Sequence, residues 1–380
     1  MKWQRLIWYN PHIMRRTIFA LSMLSVLAGC VPEDDGSADF EKGVAAFEAR
    51  DLRAAATSFG AAANKNATNL AARVKLALVN IQLGEIPAAK AAVESALALA
   101  PSSAEVKLID GQVAYLAKDY VRAKKDFDDV AASKQLEPSI RSQALSSRAV
   151  LEIAESNFDC ARLTLWRAVR LDRKNAAAWY HLGYLSRDTY RFEDAALEQF
   201  EMAGRLMKDP KRARAIAREV IPTLRNSIRS KFASVPGAAQ RNPGAAAELV
   251  SQAEAMLKKD PKKARALFAE AYAKDPLSYA AAWNHAKLSI VAAKTDADTM
   301  KALDAFQNAI DQRPNSQDTY RTAAQAALNR GKPMCASKFL SQALAHDPEN
   351  KRTLEMYVQT LRRLGKQKEA KLYDSYLKEL

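Results

Sequence analysis

The sequence predicts an all-α protein, an α-solenoid of antiparallel helix pairs in two arrays, and three observations support this prediction. Its 380 residues are 48% hydrophobic and 27% charged, which is typical of a folded chain and excludes a disordered or collagen-like one. Only 12 residues are glycine, so tight β-hairpins and glycine-rich phosphate loops are disfavoured and helices are favoured. Small residues also recur along the chain at one fixed interval, and a fixed period of this kind indicates stacked repeats.

Residues 1–29 are predicted to be a cleaved export signal. An apolar run over 17–27 follows Arg15 and Arg16, and its eleven residues are about half of the roughly 20 that a membrane-spanning helix needs. The run ends in Leu-Ala-Gly-Cys at 27–30, which resembles the lipobox of bacterial lipoproteins. The resemblance implies that the chain is cut before Cys30, that this cysteine carries diacylglycerol and a further acyl chain such as palmitate, and that 30–37 form a tether.

Residues around Cys30 bear on where the chain starts and which way it faces. Met14 would begin a more compact signal than Met1, so both start sites stay open. Val31 follows the cysteine, whereas an Asp there marks inner-membrane retention in Gram-negative lipoproteins, so the resemblance implies the outer membrane. The acidic residues at 33–35 are similar to the surface-export signal of some lipoproteins. We expect the periplasmic face, with the cell surface as the alternative.

The repeats share one order of large and small residues. Ala55, Ala89 and Ala123 lie 34 residues apart, and this interval is the period of the array. The fullest example of the pattern contains, in order, Trp179, Leu182, Gly183, Ala196, Phe200 and Ala203. This pattern and its period resemble the tetratricopeptide repeat, in which two antiparallel helices approach closely at small residues while large residues fill the gap to the next pair.

Nine such units are predicted, and they divide into two arrays. Their bounds are 36–69, 70–103, 104–137, 142–175, 176–209, 245–278, 279–316, 317–350 and 351–380. The first array covers 38–209 in about five repeats, and the second covers 245–380 in about four. Units 104–137 and 279–316 each carry an insertion of about four residues.

The segment 210–244 is predicted to be the boundary between the arrays. Its first part has apolar residues every three or four positions and many basic ones, which indicates a basic helix, and Pro222 is expected to kink it. A linker rich in Pro and Gly follows.

The sequence shows no pattern typical of catalysis or cofactor binding. Phosphate-loop, dinucleotide, nucleophile-elbow and zinc-protease motifs are missing. The histidines left after processing, His181, His285 and His346, lie in different units without neighbouring ligands. Cys160 and Cys335 lie in distant units and are predicted to be free thiols. We therefore predict that the chain is not an enzyme and uses no metal, cofactor or small-molecule substrate.

The resemblance implies that the first helix of each unit lines a concave groove, where peptides or protein segments bind. Carried over to 176–209, it selects Tyr180, His181, Tyr184 and Arg187. In the second array it selects Asn284, His285, Arg321, Gln325, Arg352, Gln359, Arg362 and Arg363. Tyr and Arg often dominate interface energies, but the two tyrosines could equally pack against the neighbouring unit. The Lys and Asn pair that some family members use to clamp a C-terminal carboxylate is missing.

A second candidate surface is a basic stripe on the connecting helix. Arg214, Arg218, Arg225 and Arg229 lie at intervals of 4, 7 and 4, which places them within about 60° of arc at 100° per residue. Such a stripe could meet acidic protein segments, lipid head groups or an anionic wall polymer. The alternatives are a solvated face or ion pairs with acidic residues elsewhere in the chain.

The charge of the chain, together with the resemblance, gives the functional prediction. Lys and Arg number 58 against 43 Asp and Glu, a formal net charge of +15, and removal of four basic residues with the signal leaves +11. Export argues against nucleic acid as the partner of this charge. The leading prediction is an outer-membrane lipoprotein that binds protein partners as a scaffold in envelope assembly, for pili, secretion or cell-wall enzymes. The alternative is a lipoprotein that binds a glycan or anionic polymer through Trp179, Tyr180 and Tyr184 together with the basic stripe.

Overall fold

The structure, a computed structural model, describes residues 36–380, and the regular elements in that range are all helices. Cys30 and the predicted signal lie outside the described residues. Within the range, nine pairs of helices follow one another along the chain. The predicted all-α solenoid of helix pairs is therefore confirmed.

The first five pairs are formed by ten helices. Their bounds are α1 (Ser37–Glu48), α2 (Leu52–Lys65), α3 (Leu70–Leu83), α4 (Ile86–Leu99), α5 (Ala104–Leu116), α6 (Tyr120–Ala132), α7 (Pro138–Ala154), α8 (Phe158–Leu171), α9 (Ala176–Tyr184) and α10 (Glu193–Leu206). A π-turn, Leu185–Thr189, continues α9.

A connecting segment and four further pairs complete the chain. The connecting helices are α11 (Pro210–Ala215) and α12 (Ile221–Ala233), joined through the π-turn Ile216–Val220. The paired helices are α13 (Pro243–Met256), α14 (Pro261–Lys274), α15 (Tyr279–Ala292), α16 (Asp296–Gln312), α17 (Gln317–Asn329), α18 (Pro333–His346), α19 (Lys351–Arg363) and α20 (Gln367–Glu379).

Polar side chains fix where many of these helices begin. Asp51 accepts a hydrogen bond from the backbone N–H of Ala54 at 3.0 Å, and Asp119 accepts one from Arg122 at 3.1 Å. Each carboxylate satisfies an N–H that the first turn of a helix leaves without a partner. The second helix of the pair therefore starts at a defined residue, which keeps the repeat in register.

Glycines in the first helix allow the second helix to approach. A Cβ atom at Gly43 would lie 2.6 Å from the ring of Phe59, and one at Gly111 would lie 2.6 Å from the ring of Phe127. Both phenylalanines are buried, with 0% and 2% of their surface exposed. The ring thus occupies the space that any other side chain at the glycine would need, and the size of this residue sets the distance between the two helices.

The fifth pair keeps this contact with a different spacing. A Cβ atom at Gly183 would lie 3.0 Å from the ring of Phe200, but these residues are 17 apart in sequence, whereas the two pairs above are 16 apart. The extra residue falls where the π-turn Leu185–Thr189 widens the helix by one residue. The π-turn therefore preserves the contact of glycine with phenylalanine.

The predicted four-residue insertions form extra helical turns. Helices α7 and α16 contain 17 residues each, against 13 in α5 and in α17. Four residues are close to one turn of 3.6, so the helix lengthens without rotating its buried face. The second insertion lies in 279–316 as predicted, but the first lengthens α7 and so lies in the unit after 104–137.

The chain divides into two compact units, and their boundary differs from the predicted segment 210–244. Unit 1 comprises the described residues up to His181 together with Met202–Arg214, and unit 2 comprises Leu182–Glu201 together with Ala215–Leu380. The first turns of α10 thus pack with the second array. The physical reason for this assignment is a set of polar contacts between α10 and α18, which sequence spacing does not reveal.

Replacing Gly111 with Ala should destabilise the protein because the added Cβ meets the Phe127 ring. We expect the free energy of unfolding to fall by about 1–3 kcal/mol, as for other overpacked sites. The measurement is urea unfolding followed by circular dichroism.

Gly60→Ala is the matched control. Gly60 is also helical, but a Cβ atom there would meet nothing within 4 Å. This change should stabilise the protein by up to about 1 kcal/mol, because Ala favours helices over Gly. Equal stability of the two variants would contradict the close approach as the determinant of helix pairing.

Candidate functional site

An open groove runs along one face of the second array. It has a volume of about 680 Å³ and is lined mainly by α15, α17 and α19, the first helices of three successive pairs. The residues that line it are Lys287, Ile290, Val291, Phe306, Asp318, Arg321, Thr322, Gln325, Ala326, Asn329, Arg330, Arg352 and Met356. All of these belong to unit 2.

Apolar side chains form part of the groove wall. Val291 is 78% exposed, which is high for a residue of this type, while Ile290 next to it is buried. Met356 is half-buried on α19. Phe306 reaches the groove from α16 and is fully buried, with its ring edge against Trp283 at a centroid distance of 5.6 Å. Val291 and Met356 therefore offer apolar surface that the chain itself leaves uncovered.

Arginine side chains in the groove are held by neighbouring helices. Arg321 forms an ion pair with Asp318 and donates hydrogen bonds to Asn350 Oδ1 at 3.2 Å and Thr353 Oγ1 at 3.1 Å, so it links α17 to the start of α19. These bonds fix the guanidinium along one wall and satisfy part of its donor set.

Arg330 closes the end of α15. Its Nη2 donates to the backbone carbonyl of Ile290 and, at 2.8 Å, to that of Val291. Carbonyl groups in the last turn of a helix lack intrahelical partners and carry partial negative charge, which a guanidinium stabilises. The positive charge of Arg330 therefore faces carbonyl groups and has no carboxylate partner among residues 36–380.

Two more cations face the groove with few partners of their own. The Nζ atom of Lys287 lies 5.4 Å from the centroid of the Trp283 ring, and Lys287 is exposed. Arg352 is exposed and, within the described part of the chain, makes no ion pair or hydrogen bond. Asp318 is the one carboxylate among the lining residues, so the lining carries a net charge of +3.

The structure brings three of the sequence-predicted groove residues together. Arg321, Gln325 and Arg352 line this one groove, with Gln325 donating to Asn329 Oδ1 at 2.8 Å. Their binding of a partner stays a prediction. Asn284 and His285 do not belong to this lining, and the Asn284 side chain donates to the Ala280 carbonyl at 3.1 Å; their binding of a partner also stays a prediction.

His285 packs inside the second array. Its ring stacks on Tyr272 at a centroid distance of 5.0 Å, and burial lowers the pKa of its imidazole.

The sequence does contain a signal for Lys287, the residue of α15 that lines the groove in place of Asn284 and His285. Counting back from Gln325 by one repeat period plus the four-residue insertion gives Lys287, which faces the groove at the position equivalent to Gln325.

The candidate groove residues of 176–209 are divided between the two compact units. Tyr180 and His181 belong to unit 1, whereas Tyr184 and Arg187 belong to unit 2. His181 is buried, so its prediction as a groove residue was wrong. Burial, with a smaller effect from the charge of Arg212, lowers the pKa of His181 to about 4, so the ring is neutral at physiological pH.

Arg187 and Trp179 are also engaged within the chain. Arg187 forms an ion pair with Asp188 at 2.8 Å, and its guanidinium lies 5.4 Å from the centroid of the Phe200 ring. The indole N–H of Trp179 donates to the backbone carbonyl of Arg173 at 2.9 Å. These contacts favour a packing role for Arg187 and for Trp179, one of the residues that the glycan-binding alternative would use.

The basic stripe does not keep its predicted geometry. Arg214, Arg218, Arg225 and Arg229 are all exposed, but Arg214 belongs to unit 1 and the others to unit 2. The π-turn Ile216–Val220 adds a residue before Pro222, which rotates Arg225 and Arg229 by about 100° relative to Arg218. Arg225 also forms an ion pair with Glu201 at 2.7 Å, as the alternative of an internal partner predicted.

A buried polar cluster in unit 2 joins α10 to α18. The ring nitrogens of His346, whose side chain is 2% exposed, lie 3.0 Å from Glu198 Oε2 and 3.1 Å from Asp194 Oδ2. Gln199 donates to the carbonyl of Ala345 at 3.0 Å. A protonated imidazole can donate to both carboxylates at once, so this arrangement favours the imidazolium form.

The pKa values in this cluster follow from its contacts. Burial lowers the pKa of His346, but the hydrogen bonds and negative charges of Asp194 and Glu198 outweigh it and raise the value to about 9. Burial raises the pKa of Asp194, but the hydrogen bond and charge of His346 outweigh it and hold it below the usual value. The Tyr320 ring lies 6.3 Å from that of His346, and burial raises the pKa of its hydroxyl.

Other chemistry is sparse in residues 36–380. Cys160 and Cys335 are free thiols and half-buried. No group of three or more His, Cys, Asp or Glu side chains in this range is placed to hold a metal ion. None of the helices in the same range has the length and apolar character needed to cross a membrane.

Comparison with known proteins matches part of the chain to a repeat family. Residues 74–139 match the tetratricopeptide repeat family model. No curated protein matches the sequence. The pilF protein of Pseudomonas aeruginosa is similar at 15% identity, over 65% of this chain and 95% of that one, with a TM-score of 0.39. A tetratricopeptide repeat protein of Parabacteroides merdae is similar at 12% identity, over 86% and 99%, with a TM-score of 0.32. Superpositions this loose carry no function over to this chain.

The stability of the protein should depend on pH through His346. Its pKa is 6.5 in the unfolded chain and about 9 in the folded one, so the stabilisation is complete below pH 6.5 and is lost as pH rises through 9. The full effect is about 3 kcal/mol. We expect His346→Gln to remove this part of the pH dependence, measured as urea unfolding between pH 6 and 10.

His285→Gln serves as the control for this experiment. The pKa of His285 is lowered, so its titration affects stability below pH 6.5 and leaves the higher range unchanged. An unchanged slope between pH 6.5 and 9 in His346→Gln would mean that the cluster does not hold a proton.

Proposed function

From the premise that this chain is built of tetratricopeptide repeats, we propose that it is a non-catalytic scaffold that holds protein segments in the groove of its second array. The groove supports this proposal by its construction. It extends across three repeats and combines arginine side chains with exposed apolar ones, and Arg and Met are enriched where proteins bind one another.

The fixed position of the groove side chains also supports binding of a partner. Arg321 is tied to two helices, and Arg330 is tied to the end of α15, so both guanidinium groups are oriented before any partner arrives. Side chains that are already ordered lose less conformational entropy on association. Val291 and Met356 both line the groove and offer places for apolar side chains of the partner.

We further propose that the scaffold is anchored by a lipid on Cys30 to the outer membrane of a bacterial envelope, facing the periplasm. The lipobox resemblance at 27–30 and Val31 after the cysteine support this location. More than one acyl chain is needed for stable anchoring, which the lipoprotein modification would supply. Its task would be in envelope assembly, as a pilus or secretion factor or as an adaptor for cell-wall enzymes.

A quantitative pull-down tests the scaffold function. Envelopes solubilised in detergent are passed over the wild-type chain, Arg352→Glu and Lys351→Glu, and the proteins retained are compared by mass spectrometry. We expect partners to be lost with Arg352→Glu and kept with Lys351→Glu, because Lys351 is exposed next to Arg352 but does not line the groove. Retention of the same proteins by both variants would refute binding in the groove.

Labelling with a radioactive fatty acid tests the anchor separately. The wild-type chain should incorporate label and fractionate with the outer membrane, and Cys30→Ser should do neither. Arg352→Glu is the control, since it leaves the anchor unchanged. Incorporation of label by Cys30→Ser would refute the proposed lipid site.

A further inference from the structure

We propose that the segment bound in the groove of the second array is acidic and carries an apolar side chain that packs on Val291. This inference rests on the proposed function and specifies the chemistry of the partner. It is argued from the charges, the exposed apolar surface and the amide side chains of the groove.

The groove lining contains more cationic side chains than anionic ones. Four cationic side chains, Lys287, Arg321, Arg330 and Arg352, face one carboxylate, that of Asp318, which Arg321 already pairs. Like charges gathered in a concave surface raise the local potential, and the low-dielectric walls focus it. A bound carboxylate would relieve the repulsion and gain charge-assisted hydrogen bonds from Arg352, which has no such bond among residues 36–380.

The apolar part of the groove distinguishes a protein segment from other anions. Val291 is 78% exposed, and Met356 also lines the groove. Covering such surface gains roughly 25 cal/mol per Å², which a purely anionic polymer cannot use. An acidic peptide with a Leu, Ile, Val or Phe residue would use both the charges and this surface.

Nucleic acid fits the groove less well than a peptide does. Binding of single strands relies on exposed aromatic rings on which bases stack. The aromatic residue in the groove lining is Phe306, which is 0% exposed and so offers no ring face. The groove instead presents the amides of Gln325 and Asn329, which can both donate to and accept from a peptide backbone.

Peptide display on the full mature chain tests the proposal. A library of random linear peptides is selected against the wild-type chain, and the enriched peptides are synthesised with a fluorescent label and measured by anisotropy. We expect the enriched peptides to combine Asp or Glu with one apolar residue and to bind more weakly as salt increases.

Variants of the groove then separate charge from apolar contact. Arg352→Glu should weaken binding about tenfold, as loss of a close ion pair does. Val291→Ser should weaken it about fivefold, by the loss of roughly one buried methylene equivalent. Lys351→Glu is the control for charge and should change the affinity less than twofold. Val291 is exposed and Arg352 has no partner in the described chain, so both variants should fold.

The outcomes distinguish this inference from the function on which it rests. Enrichment of neutral or basic peptides that lose affinity in Val291→Ser would overturn the acidic character while leaving the scaffold function standing. Peptides that bind equally to the wild type, Arg352→Glu and Val291→Ser, or failure to enrich any peptide, would overturn both. Competition by polyphosphate with no effect of Val291→Ser would assign the groove to an anionic polymer instead.

Discussion

The close approach of two helices at a small residue is the constraint on which the whole chain depends. In three pairs this residue is a glycine and the facing side chain is a phenylalanine, whose ring would clash with any Cβ atom at 2.6–3.0 Å. In 70–103 the residues at the same repeat positions are Ala77 and Val93, both fully or almost fully buried in one core cluster. In this pair an alanine thus replaces the glycine, and a smaller valine replaces the phenylalanine.

This constraint also determines where binding surface can occur. The small residues occupy the face of each first helix that meets the phenylalanine of the second helix, so a binding surface has to use other positions. In the second array, other residues of α15, α17 and α19 form the groove. The groove is therefore a consequence of repetition, and its chemistry depends on a few positions such as Lys287 and Arg352 that packing does not restrict.

Sequence alone predicted the fold well, because the repeat period and the order of large and small residues are local signals that packing requires. It predicted Arg321, Gln325 and Arg352 as groove residues, and the structure places them together. It missed Lys287 and Val291 because the four-residue insertion in that unit shifts the register. His181 was misplaced because its burial depends on neighbours that no spacing specifies. The π-turns, each adding one residue, disturbed the predicted arc of arginines for a similar reason.

The polar contacts between α10 and α18 have a consequence for how the chain can reach its native state. Contacts within and between neighbouring repeats join residues a few tens of positions apart, whereas His346 meets Glu198 and Asp194 across 148 and 152 residues. Closing a loop of that length costs entropy before any contact compensates for it, and distant contacts of this kind slow folding. Unit 2 therefore cannot be completed in the order in which its helices are synthesised. The carboxylates of its first segment, Leu182–Glu201, therefore stay hydrated until α18 has been synthesised and can pack against them.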